Sequence, residues 1–189
     1  AEWAGEASVA RPLTGTTLTH AAVLYQVLGD EAARELWAGV KERNEAGTLG
    51  LPRGNGQLMK AVGKGDHTWG WTDTDDFNVG RVNGMPVMRV VPDQEEGGLG
   101  ALLIPNTVAI LADAPHRDAA EQFVDWLLSE PIEALIAESD SANIPVRADV
   151  PRPEHVVSMD ELQLMHVDWA AVGERLPEIQ AELSELFLD

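Results

Sequence analysis

The sequence predicts an α/β layered fold, a sheet flanked by helices, and three observations predict it. Short apolar runs of strand length alternate with longer runs whose apolar residues recur every three or four positions. Three of the turns leading from a strand into a helix are rich in Gly, Thr, Asn and Asp, the residues that open helices. No apolar run reaches the roughly 20 residues needed to cross a bilayer; the longest candidate, 99–111, is broken by Pro105 and Asn106.

In chain order, 7–10 reads as a short strand, leading through Arg11-Pro12-Leu13 into Thr14-Gly15-Thr16-Thr17. A helix over 18–28 follows, with Leu18, Ala21, Ala22, Tyr25 and Leu28 on one face, and Gly29-Asp30 ends it. The next helix, 31–44, carries Lys41 and Arg43 in its last turn, as the helix dipole prefers. Leu49 and Leu51 mark a short strand, RGNG (53–56) a turn, and 57–62 a short helix closed by Gly63 and Gly65. A strand over 67–71 enters TDTDD (72–76), which opens a helix to about Val82; 86–91 then reads as another strand. After the Gly- and acid-rich link 93–98 comes the extended stretch 99–111, bending at Pro105. The segment 119–128 is amphipathic through Ala120, Phe123, Val124 and Leu127, and Ser129-Glu130-Pro131 starts a further helix. An irregular stretch over 139–150 precedes a helical end at 168–188, with Asp168 as N-cap and Pro177 expected to start a second segment.

Composition narrows the function. Hydrophobic residues make up 44 % of the chain, so it can bury a core and is not globally disordered. With 32 acidic against 13 basic residues the net charge is −19, which excludes nucleic acid as a partner, because that binding runs on phosphate neutralisation. It equally opposes an anionic membrane surface. The absence of cysteine removes disulfides, thiolate metal sites and cysteine catalysis. The opening Ala1-Glu2-Trp3 shows no signal-peptide pattern and reads as a start within something longer.

In α/β sheets, ligands sit beyond the carboxyl ends of strands, where loops enter helices. That rule selects three loops. In the first, Gly15 lets an anion approach the unpaired N–H groups of a helix start, and Thr14, Thr16 and Thr17 offer hydroxyls; alternatively Thr14 or Thr16 is simply a cap. In the second, Asn55 can cap its helix or reach a ligand. The third places Asp73, Asp75 and Asp76 within four positions, with Thr72 and Thr74 beside them. One carboxylate suffices to cap a helix; the rest suit a hard cation, a cationic organic ligand, or merely a solvated acidic turn. His20, His67, His116, His155 and His166 have no metal-ligand spacing, and there is no Walker loop, nucleophile elbow or GxGxxG. His20 is expected at the surface.

The stretch 9–74, containing ARPLTGTTLTHAAVLYQVLGDEAARELWAGVK and the helix start Gly54-Asn55-Gly56-Gln57, resembles the second lobe of iron(III)-type periplasmic binding proteins. PNTVAILADAPHRDAAEQFVDWLLSEPIEALIAE and SANIPVR resemble the later crossing segment, helices and return of the same family. The resemblance implies a type II periplasmic-binding fold with a mixed sheet, two lobes closing on a ligand, and binding without catalysis. It implies a ligand-binding lobe at 1–96, crossing strand and helices at 97–150, and C-terminal helices docking back at 151–189, with the N-terminal lobe absent. The apolar surface around 99–111 and 123–128 would then be covered by that lobe or by a second copy. The implied partner is a membrane ABC permease, and the implied location is periplasmic or extracellular, with a lipid anchor through the absent N-terminus as one attachment.

In ferric-binding relatives the matching loops hold a synergistic anion, which carries over to Thr14, Gly15, Thr16 and Asn55. Those relatives present adjacent tyrosines where this chain has TDTDD, and the sole tyrosine here is Tyr25. Asp73, Asp75 and Asp76 can stand in as oxygen ligands for Fe(III) bound with phosphate or carbonate. They can equally pair with an amine, as in relatives that carry thiamine, polyamines or aminoethylphosphonate. Outside this family, a metal-dependent hydrolase using the same carboxylates and an acidic interaction module without a small ligand remain open.

Overall fold

A three-residue strand organises the chain. Ala7-Ser8-Val9 (β1, Ala7–Val9) is buried at every position, so its residues are small or β-branched rather than alternating. It lies between β2 (Leu49–Gly50) and β3 (Trp69–Trp71), both parallel to it, in the order β2-β1-β3. The computed structural model describes residues 6–188, so the opening Ala1-Glu2-Trp3 lies outside the described residues. In register, Ser8 sits between Gly50 and Gly70. A Cβ on Gly70 would come 2.6 Å from Leu58 Cδ2 and 2.8 Å from the Ser8 carbonyl, so this glycine lets a helix close on the sheet.

The helices are α1 (Gly15–Leu28), α2 (Asp30–Glu45), α3 (Asn55–Lys64), α4 (Thr74–Val82), α5 (Arg117–Leu127), α6 (Glu130–Glu138) and α7 (Trp169–Leu188). The main core joins α1, α2 and α7: Leu24, Tyr25, Trp37, Val172, Ile179 and Leu183 are all buried there. Polar contacts fasten α7 across the same seam. Tyr25 donates to Glu182 at 2.6 Å, Arg34 donates twice to Glu182, and Arg175 donates twice to Asp30. Asp168 caps α7 as expected, accepting from the N–H groups of Ala170 and Ala171 at 3.1 Å each.

Two expectations are corrected. Pro177 does not start a new segment; α7 runs unbroken through it. The bond a proline cannot make would end on the carbonyl of Gly173, and Gly173 and Pro177 both lie on the exposed face of the helix. The segment 86–91 is extended but is not a strand, because no neighbour among the described residues pairs with it; Met88 and Val90 are largely exposed. The described strands are all parallel, so the antiparallel member of a mixed sheet is not among them.

Beyond the sheet the chain crosses to α5 and α6 and returns. At the crossing, Ala101 and Leu164 form an isolated parallel bridge. Gln94 imitates a strand there: its amide donates to the Gln163 carbonyl at 3.0 Å and accepts from the Gln163 N–H at 2.9 Å. Helices α5 and α6 pack on each other, and the return is pinned by Glu133, which accepts from the Val146 and Arg147 N–H groups. Yet α5 buries none of its residues; Phe123, Trp126 and Leu128 stay more than half exposed, as does Leu111.

Leu183 is fully buried between α7 and the α1–α2 pair. Leu183→Ala is expected to destabilise the chain by about 2–5 kcal/mol, read from the urea midpoint at unchanged m-value.

Candidate functional site

Because the three strands are parallel, their carboxyl ends share one edge, and the loops leaving them open α1, α3 and α4 side by side. None of these three helices is capped by its own side chain: Thr14, Gly54 and Asp73 hold the N-cap positions with extended backbones and no capping hydrogen bond. Thr14 is therefore not a side-chain cap. The first-turn N–H groups and the positive ends of the dipoles face a cleft of about 220 Å³. Gly15 enters α1 at φ +62°, a conformation that favours glycine.

The three loops meet through side chains. Asp73 Oδ2 accepts from Thr16 at 2.9 Å and from Asn55 Nδ2 at 2.6 Å; the same Asn55 nitrogen lies 2.8 Å from Thr16 Oγ1, and Thr17 donates to Asn55 Oδ1 at 3.2 Å. The other oxygen of Asp73, Oδ1, is buried with no partner. A buried acceptor left open is expensive, so this atom marks where a donor or cation belongs.

Asp76 reaches the same cleft over Gly56, where a Cβ would stand 2.9 Å from its Oδ1. One oxygen from each of Asp73, Asp75 and Asp76 falls within 4.8 Å of the others. Their proton affinities split accordingly. Burial works against the charge on Asp73, but the hydrogen bonds from Asn55 and Thr16 favour it, and its pKa is held below the usual range. Burial raises Asp75, helped by Asp73. Burial and then the charges of Asp73 and Asp75 push Asp76 up to about 6.

Of the residues singled out from sequence, Thr14, Gly15, Thr16, Thr17, Asn55, Asp73 and Asp76 line the cleft together. Thr72 and Thr74 are exposed outside it, and Asp75 joins the carboxylate cluster from outside the lining. Sequence reasoning gave no role to Arg53, the base on the rim, or to Gly56; the rule that chose the RGNG turn could have included both. His20 is not a free surface residue: it is half-buried with its ring 5.4 Å from that of Trp71, and burial lowers its pKa. Tyr25 is locked in the core against Glu182 and supplies no phenolate to the cleft.

The sequence pattern of the family described as bacterial extracellular solute-binding protein matches residues 23–134. A protein of Salmonella typhimurium whose name assigns it to 2-aminoethylphosphonate binding in the periplasm is 23 % identical over 158 residues, covering 80 % of this chain and 46 % of that protein. Iron uptake protein A1 of Synechocystis is 35 % identical over 72 residues, 38 % of this chain and 19 % of that one. The chain spans about half the length of the Salmonella relative. Among solved structures, a ferric binding protein from Campylobacter jejuni superposes at a TM-score of 0.75 with 19 % identity, covering 99 % of this chain and 60 % of its own. FutA2 from Synechocystis superposes at 0.70 with 20 % identity, covering 100 % and 61 %. The fold is that of the periplasmic binding proteins, present in part.

The raised pKa of Asp76 fixes a pH dependence. The folded state binds this proton more tightly than the unfolded chain, so the contribution of Asp76 to stability falls as pH rises from about 4 through about 6. Asp73, held low, contributes in the opposite sense, and its share is lost only as pH drops below the ordinary carboxylate range. Asp76→Asn is therefore expected to raise Tm at pH 7 and to change it little at pH 4, in paired thermal melts; an equal effect at both pH values would contradict the assignment.

Proposed function

Since this chain belongs to the bacterial extracellular solute-binding protein family, we propose that it is the ligand-gripping part of an extracytoplasmic binding protein that delivers its solute to a membrane ABC permease. Its role is binding, not catalysis, in keeping with relatives that are periplasmic solute-binding proteins. The solute is a paired charge: an anion seated on the open starts of α1 and α3, and a positive centre facing Asp73, Asp75 and Asp76. The observation that carries this reading is the unpartnered Oδ1 of Asp73 at the meeting point of uncapped helix starts.

The positive centre is Fe(III), with phosphate or carbonate as the anion. Three carboxylates within reach of one point suit a hard cation, and the iron-uptake and ferric-binding relatives support it. A second reading has its own support. With Tyr25 out of reach and Asp75 outside the lining, two carboxylates opposite an anion-binding rim also fit a zwitterion whose ammonium meets Asp73 and Asp76, and the Salmonella relative is named for such a molecule.

A thermal-shift series separates them. At a hundredfold excess over Kd the correct ligand is expected to raise Tm by roughly 5 °C or more. A rise with ferric ion plus phosphate that disappears in Asp73→Ala supports iron; a rise with 2-aminoethylphosphonate and none with iron keeps the binding role and discards the metal. No rise with any small solute, in a chain of intact fold, removes the whole reading.

The exposed face of α5, with the segments 86–91 and 99–111, is proposed as the surface on which the rest of a two-lobed fold packs. A net charge of −19 on each copy opposes self-association through this face. The chain is thus expected to bind a hydrophobic dye while sedimenting as a monomer, and Phe123→Ser with Trp126→Ser to abolish the dye signal. A dimer dissolved by those substitutions would assign the face to a second copy instead.

A further inference from the structure

Ser8 and Asn78 are the buried polar side chains among the described residues. Ser8 lies within the sheet. Asn78 lies in α4, two residues after Asp76, and is 3 % exposed. Its amide nitrogen donates to the backbone carbonyl of Asp140 at 3.0 Å, across 62 residues of sequence. Its carbonyl accepts from Arg81 Nε at 3.1 Å and Nη2 at 2.8 Å. Burying an amide is unfavourable unless its groups are matched, so this geometry is strongly specified.

Asp140 belongs to the tight turn that follows α6. There Ala142 is buried at φ +45°, a left-handed conformation that an alanine adopts only under constraint. Ser139 and Ser141 share a hydrogen bond of 2.7 Å, and the Ala142 N–H closes on the Ser139 carbonyl at 3.0 Å. A strained turn is thereby tied, through one buried amide, to the helix whose first turn supplies Asp75 and Asp76 to the carboxylate cluster. The turn leads into 143–147, which Glu133 pins back on α6, so the tie reaches the α5–α6 unit.

We infer that Asn78 is a positioning residue that links filling of the cleft to the setting of the 139–142 turn and the α5–α6 unit behind it. The inference rests on the reading of the cleft as a solute site. Asn78 touches no solute; it fixes where α4 stands relative to the return segment. Movement of α4 onto a bound cation or ammonium pulls on Asp140, and release of the strained turn would in turn free the acidic helix, as linkage requires.

The test compares Asn78→Leu, which removes both functions of the amide, with Asn78→Asp, which keeps its size and the acceptor for Arg81 but loses the donor. Asp140→Ala serves as control, since the acceptor there is backbone. Hydrogen exchange of the unliganded chain is expected to quicken about tenfold at 139–142 and 77–80 in both Asn78 variants and to stay unchanged in the control. With ferric ion plus phosphate, or with 2-aminoethylphosphonate, as probe, the intact chain should gain protection at 139–142, and affinity should fall about tenfold in Asn78→Asp. Unchanged exchange in the variants overturns the inference. So does faster exchange with unaltered affinity, which would make Asn78 merely structural. If the intact chain binds neither probe, the proposed ligands fail separately, and the exchange at the two segments alone decides the tie.

Discussion

Everything in this chain follows from the parallel pairing of one very short strand. Ala7-Ser8-Val9 has too few residues to be held by backbone bonds alone, and it is kept in place by burial on both faces. Gly70 lets Leu58 close over one side, while Val9 joins the α1–α2–α7 core on the other. Parallel pairing then leaves no freedom in where the loops go. Three strands ending at one edge must deliver three helix starts to one place, and the residues in those starts determine the chemistry found there.

That place combines two opposed demands. Open helix N-termini and Arg53 favour negative charge, yet Asp73 and Asp76 already bring it. The hydrogen bonds from Thr16 and Asn55 satisfy one oxygen of Asp73 and leave the other unanswered. An anion alone meets repulsion, and a cation alone leaves the helix starts open. A ligand of both signs satisfies both, which is why the ferric–anion pair and the zwitterion are neighbouring answers to the same electrostatic problem.

Much of this was legible in the sequence. The periodicity of α1 and α2, the cap at Asp168 and the loops TGTT, RGNG and TDTDD are local signals, and the strand-end rule needed only their order. What escaped depended on partners distant in sequence. Segment 86–91 has strand composition, but a strand exists only with a neighbour, and none is present among the described residues. Pro177 has the signature of a helix break, and only the exposure of Gly173 explains why α7 runs through it. The functions of Gly56 and Asn78 lie in what they face, a carboxylate 20 residues on and a carbonyl 62 residues on, and neither can be read from its flanking residues.

The seam between α1 and α7 bears on how the protein is made. Tyr25 meets Glu182 across 157 residues, and Leu183 fills the core that α1 begins. Loop closure of that span precedes any reward from the contacts it brings together, which makes folding slow. At roughly 5–20 residues per second, the first helix waits many seconds during synthesis for the last one to emerge. Until α7 has emerged the core it shares with α1 and α2 is incomplete, so the first two helices gain their main packing partner only after nearly all the residues between them have been made.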